Sequence, residues 1–252
     1  MAKVVAFANQ KGGVAKTTTT LNLGVAVQGM GRRVLVVDMD PQGNLTMSLG
    51  LDPDSARPSM YDVLVSGVNI EEAIAKQELD LAVASIDLAA VEIALSSLIG
   101  RERALSKALM QVRDDYDYIF IDTPPSLGLL TVNALTAADS VIVPVQCEYL
   151  SLRGLAQLTR TLELVRENLN PDVRIAGIVP TMYDPRTAHG REAVEVLRSS
   201  FGDLVCETTI LKTIKFAEAP VQGKSVLKYA PDSQAAEAYR QLAREVLDGK
   251  KI

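Results

Sequence analysis

Eight consecutive residues near the start of the chain have the types that bind a polyphosphate. They are Lys11, Gly12, Gly13, Val14, Ala15, Lys16, Thr17 and Thr18. Glycines let the main chain curl closely around phosphate oxygens and turn its N–H groups towards them. In such a loop Lys16 would reach the β- and γ-phosphates, and the Thr17 hydroxyl would ligate Mg²⁺. The chemistry indicated is the binding of a nucleoside triphosphate.

The residues around this loop predict the local structure that such a motif requires. Val4–Ala8 predicts a buried strand, and a helix whose dipole favours an anion is predicted from Thr17 to about Gly29. The ordinary pattern G-x-x-x-x-G-K-[ST] is not met, because Gln10 and Ala15 occupy its two glycine positions. We expect Ala15 to cost little if its φ is negative. A plain glycine turn with lysines nearby is the weaker alternative.

Aspartates follow two further apolar runs that predict buried strands. Asp38 is the last residue of the run Arg33–Asp38, and Asp40 follows it two residues later. Asp122 is the last residue of the run Tyr118–Asp122. A loop after a strand is the right place to sense the γ-phosphate, and Asp122 is a candidate to hold Mg²⁺ directly or through a water. Each feature alone is weak, because two aspartates in a loop can simply be solvated. Next to a phosphate loop the combination indicates hydrolysis.

With Lys11 opening the loop, this arrangement resembles the deviant Walker A motif of the ParA/MinD family of ATPases. The resemblance extends from Lys3 to about Leu247. It implies a homodimer that sandwiches ATP, in which Lys11 reaches the nucleotide of the partner subunit. It also implies that Asp40 positions the attacking water and that Asp38 lies near the Mg²⁺ shell. Taken alone, Lys11 is equally consistent with a solvated surface lysine.

Two later segments bear on which base is bound. No Asn/Thr-Lys-x-Asp element of guanine recognition follows a late strand, so ATP is favoured over GTP. In relatives the adenine lies near segments matching Thr181-Met182 and Glu218-Ala219-Pro220. The resemblance therefore implies adenine contacts from Met182 and Pro220, while loop packing explains either segment equally well.

A cationic stretch near the end of the chain indicates a polyanionic partner. Between residues 208 and 228 four lysines and one glutamate give a net charge of +3, in a chain of −5 overall. The lysines are Lys212, Lys215, Lys224 and Lys228. Alone, such a cluster is typical of a solvated face. The stretch also resembles the short chromosomal ParA proteins, in which residues matching Arg186 and Lys215 touch DNA without reading its sequence.

The resemblance thus implies nonspecific double-stranded DNA and a ParB-like activating protein as partners, with binding to DNA strengthened by avidity in the dimer. It favours a partition ATPase that is cytoplasmic and nucleoid-associated. The alternatives are a relative that positions another cargo, such as a carboxysome or a chemoreceptor cluster, and a MinD-like ATPase on a membrane. A redox relative is disfavoured because Cys147 and Cys206 lack the contexts of cluster ligands.

Composition and periodicity predict the scaffold that must position these residues. The chain has 252 residues, 48% of them hydrophobic and none of them Trp, which suits a parallel sheet covered by helices. Alternating strands and helices predict an α/β fold with a doubly wound, mainly parallel β-sheet and helices on both faces. We expect one domain over residues 1–252. The remaining predicted strands are Leu79–Ala84, Ser140–Val145 and Ile175–Thr181, and the remaining predicted helices are Leu88–Leu98, Arg103–Val112 and Ser233–Leu247.

The sequence also predicts a chain without a membrane partner. The first apolar run has only five residues, too few for a signal peptide. Leu81–Gly100 is apolar but carries two acids, so we expect a core helix rather than a membrane span. Residues 245–252 have little bulky apolar surface, which disfavours a lipid-binding terminal helix.

Overall fold

The structure is a computed structural model and describes residues 1–148 and 151–247. Residues 248–252, most of the terminal segment disfavoured above as a lipid-binding helix, lie outside the described residues. Seven strands form one sheet. They are β1 (Lys3–Phe7), β2 (Val34–Asp38), β3 (Ile74–Lys76), β4 (Asp80–Ala82), β5 (Tyr118–Asp122), β6 (Ser140–Gln146) and β7 (Arg174–Thr181).

The strand order is β3-β4-β2-β5-β1-β6-β7, so β1 lies near the middle, between β5 and β6. All neighbouring pairs are parallel except β3 and β4, which are antiparallel. Strands β2 to β5 all lie on one side of β1, whereas β6 and β7 lie on the other, which makes a topological switch point beside β1. Ligands of such sheets bind outside the carboxyl ends of the strands at this point.

Ten α-helices are described. They are α1 (Lys16–Gln28), α2 (Asn44–Ser48), α3 (Val91–Ala94), α4 (Ala104–Leu109), α5 (Leu129–Ala137), α6 (Ser151–Asn168), α7 (Ala188–Phe201), α8 (Lys215–Val221), α9 (Val226–Tyr229) and α10 (Gln234–Glu245). Short 3-10 turns lie at Ile70–Ala73, Ile86–Ala90, Arg101–Arg103 and Gly202–Leu204, and one π turn at Asp62–Ser66.

The helices form two layers because the strands are apolar on both sides. Val4 and Ala6 of β1 pack into one core with α4, α5 and α6, while Val5 and Phe7 pack into a second core with α1 and α10. Successive side chains of a strand point to opposite faces, so each face is closed by its own helices. The predicted doubly wound α/β class is confirmed.

The segment from 81 to 112 departs from prediction. Leu81–Gly100 is not one core helix, because its start belongs to β4 and only the Ile86–Ala90 turn and the one-turn α3 follow. The predicted helix Leu88–Leu98 is therefore wrong in extent, and Arg103–Val112 shortens to α4. Exposure explains the difference: Ile93 is 79% and Ile99 102% exposed, so apolar composition there does not indicate burial.

Most other predicted boundaries agree within one or two residues, whereas β3 was not predicted at all. That strand has three residues, none of them fully buried, and it pairs antiparallel at the sheet edge. Such a short edge strand lacks the apolar run that marks the central strands. Within the described residues, no helix combines the length and the apolar character needed to cross a bilayer.

Candidate active site

Side chains from neighbouring strand ends hold the phosphate-loop candidate in place. Asn9 donates from Nδ2 to the Pro144 carbonyl of β6 at 2.8 Å. The Thr181 hydroxyl, at the end of β7, donates to the Val14 carbonyl at 3.0 Å. The loop is thus tied to the carboxyl edge of the sheet on the side where β6 and β7 lie. Neither anchor stands out in the sequence, because each pairs residues more than 130 positions apart.

Ala15 adopts a left-handed backbone conformation directly before α1, with φ +67° and ψ +34°. The expectation of low cost rested on a negative φ and is not met, since a Cβ in this region costs roughly 1–2 kcal/mol. The carbonyl of Ala15 accepts the Thr19 N–H at 2.9 Å, so the strained residue also starts the helix. A glycine at this position would avoid the strain, as in the ordinary phosphate-loop pattern.

Lys16 is nearly buried at the start of α1, with 7% of the residue exposed. Its Nζ donates to the Lys11 carbonyl at 3.3 Å, so the ammonium lies across the loop that it would serve. Burial lowers the pKa of Lys16, and the carboxylates of Asp122 and Asp40 oppose that shift. The lysine and two predicted aspartates therefore share one electrostatic site.

Asp122 is fully buried at the end of β5 and contacts the phosphate-loop helix. Its Oδ2 accepts the Thr17 hydroxyl at 2.6 Å, and its Oδ1 accepts the Thr20 hydroxyl at 3.4 Å. Burial raises the pKa of Asp122 well above its ordinary value, with a further contribution from Asp38. A hydroxyl and a carboxylate side by side are the hard oxygen donors that Mg²⁺ prefers, so the residues present fit that ion.

Asp38 is bonded to the protein through both carboxylate oxygens. Oδ2 accepts the Thr46 N–H at 2.9 Å and the Thr46 hydroxyl at 2.8 Å, and Oδ1 accepts the Asp40 N–H at 3.1 Å. Burial raises the pKa of Asp38 to about 6 against these hydrogen bonds. Asp38 therefore fixes the loop that carries Asp40. Thr46 was missed in the sequence because a hydroxyl eight residues away carries no motif signal.

Asp40 is 6% exposed and faces the same site. Its Oδ1 accepts the Gln42 N–H at 3.0 Å, and its carbonyl accepts the Gly43 N–H at 2.8 Å. These bonds form a tight turn that holds the carboxylate in place. The other oxygen, Oδ2, has no hydrogen-bond partner among residues 1–148 and 151–247 and is available to a water.

Lys11 is held within its own chain. Its Nζ donates to Gln146 Oε1 at 3.0 Å and to Glu148 Oε2 at 3.1 Å. Gly154 of α6 lies close by, since a Cβ there would stand 4.0 Å from the Lys11 Cβ. Neither Gln146 nor Glu148 was predicted as a site residue, although both lie at the carboxyl end of β6, where ligands of parallel sheets gather.

A cavity of about 280 Å³ adjoins the start of α1. Its wall is mainly apolar, and the lining residues include Ala15, Thr18, Met182, Ile210, Phe216 and Ala217. Met182, one of the two residues predicted to contact adenine, lines this cavity. Its backbone φ is +52°, which turns the chain at the cavity wall. Pro220 is not in this cavity but lines a separate one of about 20 Å³, which weakens its prediction as an adenine contact.

The predicted DNA-binding residues differ in their exposure and in the bonds that hold their side chains. Arg186 has 87% of its side chain exposed, yet Asp184 holds it by two bonds of 2.8 and 2.9 Å. This pairing lowers the pKa of Asp184 to about 2. Lys212 lies beside the segment that carries Arg186, because its N–H donates to the Tyr183 carbonyl at 3.0 Å. Lys212 also lines the cavity of about 280 Å³.

Lys215 begins α8 and is half-buried, while Lys228 in α9 is exposed. Lys224 is half-buried and lines the cavity of about 20 Å³. Arg186, Lys212 and Lys228 are therefore the more exposed of the predicted phosphate contacts, and Lys215 and Lys224 are half-buried. His189, the single histidine of the chain, is exposed in the first turn of α7.

The sheet topology, the phosphate loop and the carboxylates at its edge define a P-loop nucleoside triphosphatase. The chain matches the model of the AAA domain family AAA_31 over residues 2–175. It is 48% identical over 249 residues to the sporulation initiation inhibitor protein Soj of Bacillus subtilis, with 98% of each chain covered. It is 46% identical over 254 residues to the chromosome partitioning protein ParA of Caulobacter vibrioides, covering 99% of this chain and 95% of that protein. The chain therefore belongs to the ParA/MinD family of ATPases, among relatives of ParA and Soj.

A solved structure extends the comparison to the whole fold. Cobyrinic acid a,c-diamide synthase from Mycobacterium smegmatis, with bound ADP and magnesium, superposes with a TM-score of 0.88 at 43% identity. The match covers 100% of this chain and 98% of that one. The fold described above is therefore found in a protein that binds a nucleotide with magnesium.

Proposed function

We propose that this protein is an ATP-dependent partition ATPase that hydrolyses ATP with Mg²⁺ at the loop of residues 11–18. The observation that carries the proposal is the convergence of Lys16, Thr17, Asp40 and Asp122 at one strand edge beside a base-sized cavity. Family membership and a nucleotide-bound relative of the same fold support it.

The chain's own residues supply the elements of phosphoryl transfer. Thr17 and Asp122 would hold Mg²⁺, which when bound would supply positive charge to offset that of the phosphates. Lys16 would bind the β- and γ-phosphates, and Asp40 would orient a water for attack on the γ-phosphate. The cavity beside Ala15 and Met182 would receive the adenine, because an apolar slot suits a flat base.

Lys11 is assigned to the partner subunit's nucleotide in a sandwich homodimer. The structure gives this lysine a different contact within its own chain, so the assignment requires that its bonds to Gln146 and Glu148 break when two ATP-bound subunits meet. A cation delivered in trans would stabilise charge at the γ-phosphate, as an arginine finger does. The sandwich would thereby couple hydrolysis to dimerisation.

The ATP-bound dimer is proposed to bind double-stranded DNA without sequence preference and to be released when a ParB-like protein stimulates hydrolysis. The support is the cationic group formed by the exposed Arg186, Lys212 and Lys228 together with the half-buried Lys215. Lys and Arg contacts to phosphates are independent of sequence and sensitive to salt. Two such surfaces in one dimer would add avidity. The protein would then be cytoplasmic and nucleoid-associated.

Purified protein tests the proposal through three linked measurements. Calorimetry measures nucleotide binding, sedimentation measures dimerisation, and retention on a random-sequence duplex measures DNA binding, each with ATP, ADP or no nucleotide. Wild type should dimerise and bind DNA only with ATP, and Lys16→Ala should lose all three properties. Lys107→Ala, an exposed lysine of α4, is the matched control. Retained ATP affinity in Lys16→Ala would contradict the phosphate-loop assignment.

Other functions remain candidates on specific grounds. A relative that positions another cargo would pass every test above, and only the cargo-specific activator would differ. A MinD-like protein would co-float with liposomes when ATP is present and would not bind DNA. The 43% identity to the M. smegmatis structure favours amidation as a second activity, which incubation with cobyrinic acid, ammonia and ATP would detect.

A further inference from the structure

Two glycines pack the segment after the Asp40 loop against the cationic C-terminal segment. Gly50 follows α2, and Gly223 follows α8 immediately before Lys224. A Cβ on Gly223 would lie 3.0 Å from the Gly50 Cα and 3.2 Å from the Gly50 N. Both glycines have positive φ, +83° and +62° respectively. The main chains at Gly50 and Gly223 are therefore in direct contact, and no flexible side chain lies between them to accommodate a movement.

The Gly50 side of this contact belongs to the unit that carries the candidate water-positioning carboxylate. Asp38 accepts two hydrogen bonds from Thr46 in α2, at 2.8 and 2.9 Å. Gly43 presses on Pro53 so closely that a Cβ on Gly43 would stand 2.7 Å from the proline Cβ. Residues 38–53 are thus packed as one unit, because dense packing leaves few soft degrees of freedom.

The other side of the contact sets the main chain of Lys224. The next residue, Ser225, donates its N–H and its hydroxyl to Glu78 at 2.8 and 2.6 Å. Val226 donates its N–H to Asn22 Oδ1 of α1 at 2.8 Å. Lys224 is therefore flanked by fixed points, and the glycine contact is one that leads to the Asp40 loop.

A small cavity lies at the same junction. Its volume is about 20 Å³, and its lining includes Thr18 of α1, Ser48 of α2, Pro220 of α8 and Lys224. The helix that starts at the phosphate loop, the helix that follows Asp40 and the cationic segment therefore meet at one place. A shift of α2 relative to α1 would reach the cationic segment through this junction.

We propose that the Gly50–Gly223 contact transmits the nucleotide state of the Asp40 loop to the cationic segment and so sets its affinity for DNA. The proposal rests on the proposed function and specifies its regulation within one subunit. Avidity in a dimer multiplies the affinity of each surface, whereas this contact changes the surface itself. The two effects are separable because they respond to different substitutions.

The contact variants are Gly223→Ala and Gly223→Asn, each of which adds a Cβ that would press on the Gly50 main chain, and Gly67→Ala is the control. Gly67 also has positive φ, +70°, but a Cβ there meets no atom within 4 Å, so it carries the backbone penalty without the contact. Each variant is titrated onto a random-sequence duplex with ADP and with a non-hydrolysable ATP analogue. The ratio of the two affinities should fall about fivefold or more in the contact variants and stay at the wild-type value in Gly67→Ala. Analogue binding and dimerisation should persist.

A second measurement uses the reciprocity of linked binding. In wild type, duplex DNA should raise the affinity for the analogue relative to that for ADP by the same factor, and this gain should fall equally in the contact variants. Should Gly223→Ala fail to fold, Gly223→Asn carries the test, because asparagine tolerates positive φ while still adding a side chain.

An unchanged affinity ratio in the contact variants would overturn the inference. So would an equal loss of affinity in both nucleotide states, since the glycines would then only shape the surface. Impaired dimerisation would overturn it as well, because the contact would act on association. If wild type itself shows no ATP-dependent DNA binding, the proposed function fails, and that result is distinguishable from the others.

Discussion

The Lys11 ammonium lies 3.1 Å from the Glu148 carboxylate of the same chain. The lysine side chain is 35% and the glutamate side chain 58% exposed, so solvent screens the pair. Exposed pairs of this kind contribute about 0.2–1 kcal/mol. If Lys11 acts on the partner subunit's nucleotide, this pair opposes dimerisation by that small amount.

Glu148→Gln should therefore tighten the ATP-dependent dimer by about 2- to 30-fold, because it releases Lys11 in each of the two subunits at little structural cost. Sedimentation across a concentration series with a non-hydrolysable analogue measures the change. Glu163→Gln, on an exposed face of α6, serves as the matched control. A weaker dimer in Glu148→Gln would mean that Glu148 stabilises the assembled state instead.

Asp40→Ala should retain ATP binding and dimerisation while hydrolysis falls by about 100-fold or more, since the attacking water loses its orienting carboxylate. Single-turnover phosphate release, followed beside calorimetric ATP binding, separates the two effects. Asp40→Asn tests charge against shape, because the amide oxygen can keep the Gln42 N–H bond. Hydrolysis at the wild-type rate in Asp40→Ala would remove this residue from the chemistry.

Arg186→Glu and Lys215→Glu should each weaken binding to any duplex, because charge reversal removes a phosphate interaction and adds repulsion. The slope of log affinity against log salt should decrease in magnitude by about 1 for each phosphate interaction that is removed. ATP-dependent dimerisation should be unchanged. Lys107→Glu, placed on α4 in the layer opposite α1, is the control for net charge. Wild-type retention by both variants at moderate salt would exclude these residues from the interface.

Asp122→Asn should stabilise the nucleotide-free protein while it impairs hydrolysis. Burial and the Asp38 charge raise the pKa of Asp122 in the folded state, so the folded protein binds this proton more tightly than the unfolded chain does. Wild type therefore loses stability as pH rises above the unfolded value near 3.8, up to the raised folded pKa. The gain in melting temperature from Asp122→Asn should be larger at pH 8 than at pH 5.

Thermal unfolding at the two pH values measures that difference. For a chain of this size, each kcal/mol corresponds to about 2–4 °C in melting temperature. Asp139→Asn, at an exposed aspartate directly before β6, should show no such gain. A destabilised Asp122→Asn at both pH values would show that the Thr17 and Thr20 hydrogen bonds outweigh the buried charge.

The central elements could be predicted from the sequence because each has a local cause. The strands β1, β2 and β5 are continuous apolar runs buried on both faces, and each ends at a residue of the site or directly before the phosphate loop. Glycines, lysines and a threonine in a fixed order marked the phosphate loop without any long-range information. The predicted helix Leu88–Leu98 was wrong in extent because apolar residues in that region, such as Ile93 and Ile99, are exposed rather than buried.

By itself the sequence determined the central strands, the candidate phosphate loop and the aspartates that end β2 and β5, because these depend on neighbours along the chain. Only the tertiary structure decided that Lys11 contacts Glu148, that Thr46 holds Asp38 and that Gly50 meets Gly223. Those contacts join segments whose separation is set by the sheet order rather than by sequence distance. Packing of whole elements brings them together, and no local pattern encodes it.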